Sequence, residues 1–577
     1  MTTLHDMITD AMLAQSLIRL RMNVATKRHD AHFFNNIVTS KPYPSAWTGQ
    51  LDEVMPPRSR WHRPMRHQRG HKTREEIARG ALLVPLMWGI KNGKNEAWAQ
   101  KLQILIGQVR ERALSPTLIP IKVPVVKAIP KPQLQKKAEG TYRALASYEE
   151  LSDRLLLGIT AKYLVRKIDP LLQDCACAFR GHGQMTRDTA VRKIVQFLKA
   201  KGGGKVYAAE CDIKGFYDSI NHDVLRQAFA KASQQLSEQG VPLDPVVEVI
   251  LEQCLAGYDY FGYGLPEARN VLAKTGNSGR EISGPDYEEL LKLTPAGRVP
   301  RFGIPQGGPL SPLLANLVMD AADRAVLGDG TDPDLLYLRF CDDMIILHTD
   351  KDKCQQALKR YLDAVAELGF VVHQPKRIMR YGAEFHKEKS KLPYRVADPG
   401  VRQNASPWIN FLGYQIRYDG GLRVKKDSLE RHKKNQTTLV SRIQKLIARP
   451  RAQLKLKNCE IIASVAGRMV AVGVGKPARA GAAVTELARC WLAAFPLLAD
   501  SPLACGQMRL LDRHRDRLVS KLFRALTVSH PSNEHHRCLI GKPRIGREKS
   551  YCGQVSGTPR SHVPWKAFKD HGYGRNY

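Results

Sequence analysis

Short apolar runs alternate with amphipathic segments through the middle of the chain, from about residue 140 to about residue 420. Two of these runs carry acidic residues: 205–213 contains Asp212 near its end, and 338–347 contains Asp342 and Asp343 in its middle. Short runs of this kind predict buried β-strands. Strands that alternate with helices are typical of a catalytic core of mixed α and β structure.

The regions on either side of this core differ from it in composition. The predicted parts are a basic, mostly helical N-terminal region (1–115), the core (116–420), a helical C-terminal domain (421–529) and a basic, Gly/Pro-rich tail (530–577). Apolar residues at helical spacing predict helices near 73–90 and 95–114. The tail is expected to become ordered only on a partner, because it has too few apolar residues to form a core.

A basic stretch with interleaved aromatic residues, 58–69, lies before the first of these helices. Stretches of this composition bind single-stranded nucleic acid by stacking and by charge. A solvated connector has the same composition, so the sequence leaves both interpretations open.

Composition narrows the class of partner. Of the 577 residues, 90 are Lys or Arg and 55 are Asp or Glu, so the formal net charge is +35, and 43% of residues are hydrophobic. A positive electrostatic field this strong predicts a polyanionic partner. Nucleic acid is the preferred interpretation, and an anionic membrane surface is the alternative. No apolar run is long enough to cross a bilayer, and the first residues do not resemble a signal peptide. The scattered cysteines favour a reducing, cytoplasmic setting and predict no zinc site.

The three aspartates predict metal chemistry. Carboxylates flanked by buried strands are costly to desolvate unless a cation neutralises them. Two divalent ions about 3.5–4 Å apart, bridged by carboxylates, provide that charge. Mg²⁺ fits best because it prefers oxygen ligands and leaves positions for phosphate, and Mn²⁺ is an alternative. The other interpretation of Asp342 and Asp343 is an exposed turn.

An ordered series of motifs resembles the reverse transcriptases of the bacterial, group II intron-like branch. The motifs lie at 140–145, 152–155, 177–181, 212–222, 303–316, 340–343, 368–370 with Lys376, and 411–414. The resemblance covers roughly residues 118–420, and the segment 303–316 (GIPQGGPLSPLLAN) is its most specific part. It implies an α+β fold of the right-hand polymerase type, with fingers, a palm built on an antiparallel sheet, a helical thumb and a basic N-terminal extension.

The resemblance also assigns roles to residues. It implies catalysis by Asp212, Asp342 and Asp343, and metal binding at Asp212, Ile213 and Asp342. It implies nucleotide binding by Arg143, Phe216, Tyr217, Gln306, Gly307 and Lys376, with Tyr217 excluding ribonucleotides and Lys376 protonating pyrophosphate. It implies primer or template contacts by Arg180, Phe340, Cys341, Phe411, Leu412 and Gly413.

Three departures from the family pattern matter. The turn begins Phe340-Cys341 where the family commonly has Tyr-Ala, and Thr141 replaces a basic residue near Arg143, for which Lys136 or Lys137 are substitutes. An insertion at about 258–299 is expected to contact nucleic acid or a neighbouring subunit, or to be a tolerated surface addition.

Within this branch the chain most resembles the free-standing, defence-associated and abortive-infection reverse transcriptases. The function that this resemblance implies is RNA-directed DNA synthesis with two metal ions, on a dedicated non-coding RNA, in bacterial anti-phage defence. The partners are RNA, the DNA product and deoxynucleoside triphosphates, with a protein partner or homo-oligomer left open and no membrane. The alternatives are an RNA-binding, maturase-like scaffold with a retained core, and a template-independent or protein-primed DNA polymerase.

Overall fold

The computed structural model of the chain describes residues 3–38, 49–62, 64–65, 74–93, 95–131, 140–181, 185–202, 205–294, 299–377, 381–400, 405–449, 454–474, 490–499, 501–531 and 551. The basic stretch 58–69 is therefore described in part. Lys136, Lys137 and nearly all of the predicted tail lie outside the described residues. No helix among the described residues is both long and apolar enough to cross a membrane.

Helices dominate both ends of the chain. The α-helices are α1 (Leu4–Met7), α2 (Asp10–Ile37), α3 (Gly49–Glu53), α4 (Arg74–Asn92), α5 (Ala97–Leu114), α6 (Leu151–Ile168), α7 (Arg187–Ala200), α8 (Phe216–Ser219), α9 (His222–Glu238), α10 (Pro245–Ala256), α11 (Leu265–Lys274), α12 (Tyr287–Leu291), α13 (Ser311–Leu327), α14 (Lys351–Glu367), α15 (Ala383–Lys387), α16 (Lys426–Ile447), α17 (Asn458–Gly473) and α18 (Pro502–Ser529). Short 3-10 helices lie at Arg58–Arg60, Asp169–Leu171, Leu492–Ala494 and Pro496–Leu498, and a π-helical turn at Tyr260–Gly264. The helices α4 and α5 lie where the apolar spacing predicts them.

The strands form three antiparallel sheets. The strands are β1 (Val125–Pro130), β2 (Tyr142–Ser147), β3 (Val206–Cys211), β4 (Leu335–Phe340), β5 (Asp343–His348), β6 (Lys391–Val396), β7 (Trp408–Phe411), β8 (Tyr414–Arg417) and β9 (Leu422–Val424). The sheet orders are β1-β2, β4-β5-β3-β6 and β7-β8-β9. The fold is therefore mixed α+β with a palm-like antiparallel sheet, as the sequence predicts. The assignment of fingers, palm and thumb to domain boundaries stays a prediction.

The four-stranded sheet is covered on both faces, which explains its continuous apolar strands. One face packs in the core with α13 and α14, and the other packs in the core with α7 and the β7-β8-β9 sheet. Helix α14 packs against β3, β5 and β6, and α13 packs against α14. The resulting core also includes α6 and the N-terminal helices α1, α2, α4 and α5. This packing fixes the ends of β3 and β5, where the acidic residues lie.

Helix α2 joins two separate cores. Its first half buries Leu13, Leu17 and Ile18 in the core that includes α6 and the sheet. Its last residues, Phe34 and Ile37, are buried among α16, α17 and α18 instead. This 28-residue helix therefore ties the N-terminal region directly to the C-terminal helices.

The first part of the predicted insertion is built into the core. Tyr258 and Tyr260 are buried against Val126, Ala144 and Ala146 of the β1-β2 sheet. The segment also extends that sheet, because Tyr142 N–H donates to Glu281 O at 2.8 Å and Ser283 N–H donates to Tyr142 O at 2.8 Å. Its contacts are therefore with the chain's own core.

Candidate active site

The predicted catalytic aspartates converge at one end of the four-stranded sheet. Strands β3 and β5 pair antiparallel, with Cys211 opposite Met344. The next residues in register, Asp212 and Asp343, therefore come side by side, and Asp342 lies on the turn that precedes β5. These carboxyl groups come together although 130 positions separate Asp212 from Asp342 in the sequence.

The turn that carries Asp342 is tight. Phe340 pairs with Asp343, so only Cys341 and Asp342 connect β4 to β5. Cys341 has a φ of 59°, the positive value that short hairpin turns with the twist of the sheet require. A side chain other than glycine in this region is strained, and such strain is common at functional sites.

A buried ion pair holds this turn. The Arg339 guanidinium pairs with Asp323 at 2.6 Å, and both side chains are fully buried. Arg339 Nη1 also donates to Cys341 O at 3.1 Å and to Asn316 Oδ1 at 3.1 Å, and Tyr337 OH donates to Asp323. The sequence gives no indication of this pairing between Arg339 and Asp323. Arg339 and Asn316 thus fix the backbone of the turn that carries Asp342.

Two basic residues not identified from the sequence lie at Asp212. Lys389 Nζ forms an ion pair with Asp212 Oδ2, and it also contacts His373 Nε2 at 2.9 Å. The backbone of Asp212 is held from the same side, because its N–H donates to Ser390 Oγ at 2.9 Å and its C=O accepts from His373 N–H. Lys389 therefore neutralises Asp212 within the protein.

The charges of these carboxylates are only partly compensated. Burial and the Asp212 charge raise the pKa of Asp342 to about 6, against the opposing charges of Lys389 and Arg143. Desolvation within the cleft and the charges of Asp342 and Asp212 raise the pKa of Asp343 as well. Solvent contact at the Asp343 side chain moderates this effect. A cation bound between Asp212 and Asp342 would remove the repulsion that raises the pKa values of Asp342 and Asp343.

The donors here fit Mg²⁺. Among the described residues no three His, Cys, Asp or Glu side chains group as a metal cluster, but Mg²⁺ needs only one or two carboxylates besides water and phosphate. Ile213 bridges Val372, and the two hydrogen bonds of that bridge use the backbone of Asp212 and Lys214. The Ile213 carbonyl is not consumed by this bridge, so its predicted metal role is compatible with the structure.

Mg²⁺ is expected to stabilise the protein at pH 8, raising its melting temperature by about 2–5 °C. In the metal-free protein the folded pKa of Asp342, about 6, exceeds its ordinary 3.8. Between these two pKa values the folded state holds more protons than the unfolded state. The contribution of protonated Asp342 to the free energy of unfolding is therefore complete below about pH 4 and is lost as the pH rises through about 6. Asp342→Asn should melt higher than wild type without metal at pH 8 and should not respond to Mg²⁺. Thermal melts at pH 5 and pH 8 test this, and equal Mg²⁺ responses of both proteins would contradict it.

The aromatic pair near Asp212 is divided between the core and the site. Phe216 is buried and packs on Phe370 with ring centroids 5.5 Å apart. Tyr217 is only partly buried, and its hydroxyl lies 3.8 Å from Cys341 Sγ on the catalytic turn. Tyr217 is thus the aromatic residue that faces the aspartates, as the resemblance implies for the residue that selects the sugar.

The other predicted nucleotide-binding residues surround this point. Gln306 Nε2 donates to Asp218 Oδ2 at 2.8 Å, and Gly307 has a φ of 100°, which favours glycine. Arg143, on β2, is close enough to both Asp342 and Asp218 that its charge lowers their pKa values against the larger effect of burial. The charge of Lys131 also lowers the pKa of Asp218. Lys131 is therefore a second basic residue here besides Arg143, and the sequence motifs do not include it.

The predicted primer-grip hairpin adjoins the aspartates. Phe411 pairs with Tyr414, and both turn residues between them, Leu412 and Gly413, have positive φ. A cavity of about 120 Å³ is lined by Phe411, Leu412 and Gly413 together with Asp343, Glu210, Lys389 and Lys425. Phe340 lies beside Phe179, with ring centroids 6.3 Å apart.

Two predicted residues have other partners. The Arg180 side chain is buried, pairs with Asp169 at 2.7 Å and donates to several main-chain carbonyls of the same loop. These contacts give Arg180 a structural role, and they use the guanidinium N–H groups that could otherwise bind nucleic acid. Lys376 is exposed and its Nζ lies 3.4 Å from Glu388, whereas Lys389 is the lysine that contacts Asp212.

The comparisons with known proteins agree with this arrangement. Residues 129–416 match the family described as "Reverse transcriptase (RNA-dependent DNA polymerase)". A curated relative, the Retrovirus-related Pol polyprotein from type-1 retrotransposable element R2 of Nasonia vitripennis, is 27% identical over 240 residues. That match covers 40% of this chain and 20% of the relative, so the chain spans only a small part of that protein.

Solved telomerase structures show a more distant likeness. Apo telomerase from Candida tropicalis is 12% identical, with a TM-score of 0.37, over 94% of this chain and 83% of that chain. Telomerase from Candida albicans, in complex with a fragment of telomeric RNA, is 11% identical, with a TM-score of 0.32, over 81% and 74% of the two chains.

Proposed function

Since residues 129–416 of this chain belong to the reverse transcriptase (RNA-dependent DNA polymerase) family, we propose that the chain copies RNA into DNA at the Asp212–Asp342 site. The observation that carries the proposal is the convergence of Asp212, Asp342 and Asp343 at one sheet end, beside Tyr217 and within the field of Arg143. Together these residues provide oxygen ligands, a sugar contact and a cation for a triphosphate.

The chemistry of nucleotide addition suits these residues. Phosphoryl transfer requires mainly positioning and charge stabilisation from the protein. When bound, two Mg²⁺ ions would activate the primer hydroxyl and neutralise the triphosphate, held by Asp212, Asp342 and the Ile213 carbonyl. Arg143, whose charge reaches Asp342, would bind a phosphate with two parallel hydrogen bonds. The hairpin at Leu412 and Gly413, which lines a cavity with Asp343, would hold the primer end.

The basic charge supports RNA as the partner. Arg509, Arg513, Arg517 and Arg524 lie on the exposed face of α18, and the last three line an open groove of about 310 Å³. Like charges four residues apart destabilise a helix by themselves. Bound phosphates would relieve this repulsion and release counterions, which favours a polyanion on this face.

The direct test is synthesis on defined templates. Purified protein with Mg²⁺ should extend a primer on RNA with deoxynucleotides, giving a product that DNase removes and RNase does not. Product formed equally without template would instead support template-independent synthesis. DNA that stays attached to the protein after denaturation would support protein priming.

The resemblance to free-standing bacterial enzymes extends the proposal to a dedicated non-coding RNA and to anti-phage defence. Phage plating on cells that express wild type or Asp342→Asn tests this extension. Protection that survives in Asp342→Asn would favour the RNA-binding scaffold instead.

Replacing Tyr217 with Ala is expected to increase ribonucleotide incorporation relative to deoxynucleotide incorporation by at least about tenfold. The ring of Tyr217 faces the aspartates and would meet the 2′ hydroxyl of a ribonucleotide, and a clash of this kind is worth about 1–3 kcal/mol. Tyr217→Phe is the control, because it keeps the ring and loses only the contact with Cys341. Steady-state kinetics with both nucleotide types measure the ratio, and an unchanged ratio in Tyr217→Ala would exclude a role in sugar selection.

A further inference from the structure

The described residues 258–294 and 299–302 form a unit whose two ends are hydrogen-bonded to each other, next to Asp218. Its ends meet, because Tyr260 N–H donates to Phe302 O at 2.7 Å and Phe302 N–H donates to Asp259 Oδ1 at 3.2 Å. Tyr258 and Tyr260 are almost fully buried within it. Glycines make room for these rings: a Cβ at Gly264 would lie 2.6 Å from the Tyr258 hydroxyl, and one at Gly303 would lie 2.8 Å from Tyr260 Cβ.

Asp218 lies between this unit and Gln306. Its side chain is buried, and its Oδ2 accepts the hydrogen bond from Gln306 Nε2. Burial is the largest cause that raises the pKa of Tyr258 and of Tyr260, and the charge of Asp218 is the second largest. The tyrosine hydroxyls and Asp218 Oδ1 make no hydrogen bonds within the described residues. The two tyrosines therefore pack near Asp218 without hydrogen-bonding to it.

The backbone fixes both partners of this hydrogen bond. Ile304 N–H donates to Tyr217 O at 2.9 Å, and His222 Nε2 contacts Gly303 O at 2.8 Å. Asn221 also bridges Phe302. Backbone contacts therefore join helix α8, which carries Asp218, and the start of α9 to the loop that carries Gln306.

This arrangement determines which end of the amide is available. Burial raises the pKa of Asp218 to about 7, against the Gln306 hydrogen bond and the charges of Lys131 and Arg143. Above that pH the carboxylate only accepts hydrogen bonds, so it selects the Nε2 end of Gln306. The Oε1 atom, an acceptor, then remains for another donor. The phosphates of a nucleotide have no hydrogen-bond donor, and the donors of the four bases differ. A sugar hydroxyl is therefore the hydrogen-bond donor that all incoming nucleotides share. A hydrogen bond to a charged group in dry surroundings is among the stronger ones.

We propose that Asp218, buried beside the rings of Tyr258 and Tyr260, is a positioning residue. Its hydrogen bond fixes the Gln306 amide with Oε1 toward the sugar hydroxyl of the incoming nucleotide. The insertion thereby contributes to nucleotide affinity without touching the nucleotide. The inference rests on the proposed function for the identity of the ligand, but it concerns binding and not the chemical step.

The test measures the Kd of deoxynucleoside triphosphates by titration in Ca²⁺, apart from incorporation assays. Asp218→Asn keeps the volume but no longer selects one end of the amide, so the Kd should rise about tenfold. Gln306→Ala should have a similar effect, and Asp218→Asn should add less than about twofold to it. Asp223→Asn, on the exposed start of α9, is the matched control and should bind like wild type. Melting temperatures of all variants show whether each one folds.

A reversed pair keeps the test decisive if Asp218→Asn alone is unstable. Gln306→Glu places two carboxylates face to face and should weaken binding more than Gln306→Ala. Adding Asp218→Asn restores the hydrogen bond with donor and acceptor exchanged, and should tighten binding at least about tenfold relative to Gln306→Glu. Three results would overturn the inference. They are additive effects of Asp218→Asn and Gln306→Ala on the Kd, no tighter binding when Asp218→Asn is added to Gln306→Glu, and a wild type that binds no triphosphate. Binding without incorporation would instead count against the proposed function alone.

Discussion

Asp342→Asn is expected to lower the rate of DNA synthesis by at least about 1,000-fold while leaving RNA affinity within about twofold of wild type. Asp342 lies on the two-residue turn beside Asp212, where its charge would hold metal ions that supply several kcal/mol of charge stabilisation. Each 1.36 kcal/mol corresponds to about a tenfold change in rate. The proposed RNA-binding surface is the arginine-rich face of α18, so RNA affinity should not change.

The measurement pairs single-turnover incorporation with RNA binding at fixed salt. Asp363→Asn is the matched control, because Asp363 is exposed on α14, outside the cleft. A variant that loses RNA affinity together with activity would point to misfolding or to a role of Asp342 in template binding.

Arg339→Met is expected to lower the free energy of unfolding of the core by about 3–5 kcal/mol. Arg339 and Asp323 are fully buried against each other, and removal of one partner leaves an uncompensated buried charge. The Cys341 carbonyl also loses its donor, so the catalytic turn should lose its position and synthesis should fall. Denaturant unfolding followed by fluorescence measures the first effect.

The neighbouring residues offer a control for this change. Arg324 pairs with Asp320 on the surface, at 2.7 Å, and Arg324→Met should cost less than about 1 kcal/mol. Adding Asp323→Asn to Arg339→Met should recover part of the lost stability, because the buried charge is removed while an acceptor for Tyr337 is kept. A double variant no more stable than Arg339→Met would contradict the ion-pair explanation.

Local patterns predicted the catalytic strands well. The apolar runs around Asp212 and Asp342 have the length and composition of buried strands, and the structure places β3, β4 and β5 there. The order of motifs then identified which residues surround the site, including Tyr217 and Gln306. The helices α4 and α5 followed from spacing alone, because each carries a regular series of apolar residues.

Contacts between distant residues were not predictable in this way. Lys389 reaches Asp212 across 177 positions, and an exposed lysine in the sequence has no signal for such a pairing. The sequence does not predict the burial of Tyr258 and Tyr260, because aromatic residues next to glycines have no regular period. Helix α2 was missed because its apolar residues face one core at its start and another at its end, so no single stripe runs along it.

The central claim is that the converging aspartates copy RNA that the protein holds. The most direct measurement uses protein purified with its bound nucleic acid, which is sequenced and then supplied with Mg²⁺ and labelled deoxynucleotides, for wild type and Asp342→Asn in parallel. The predicted result is a defined RNA and a complementary DNA product that only the wild type makes. Equal incorporation by both proteins, or a bound RNA that neither protein copies under any of these conditions, would contradict it.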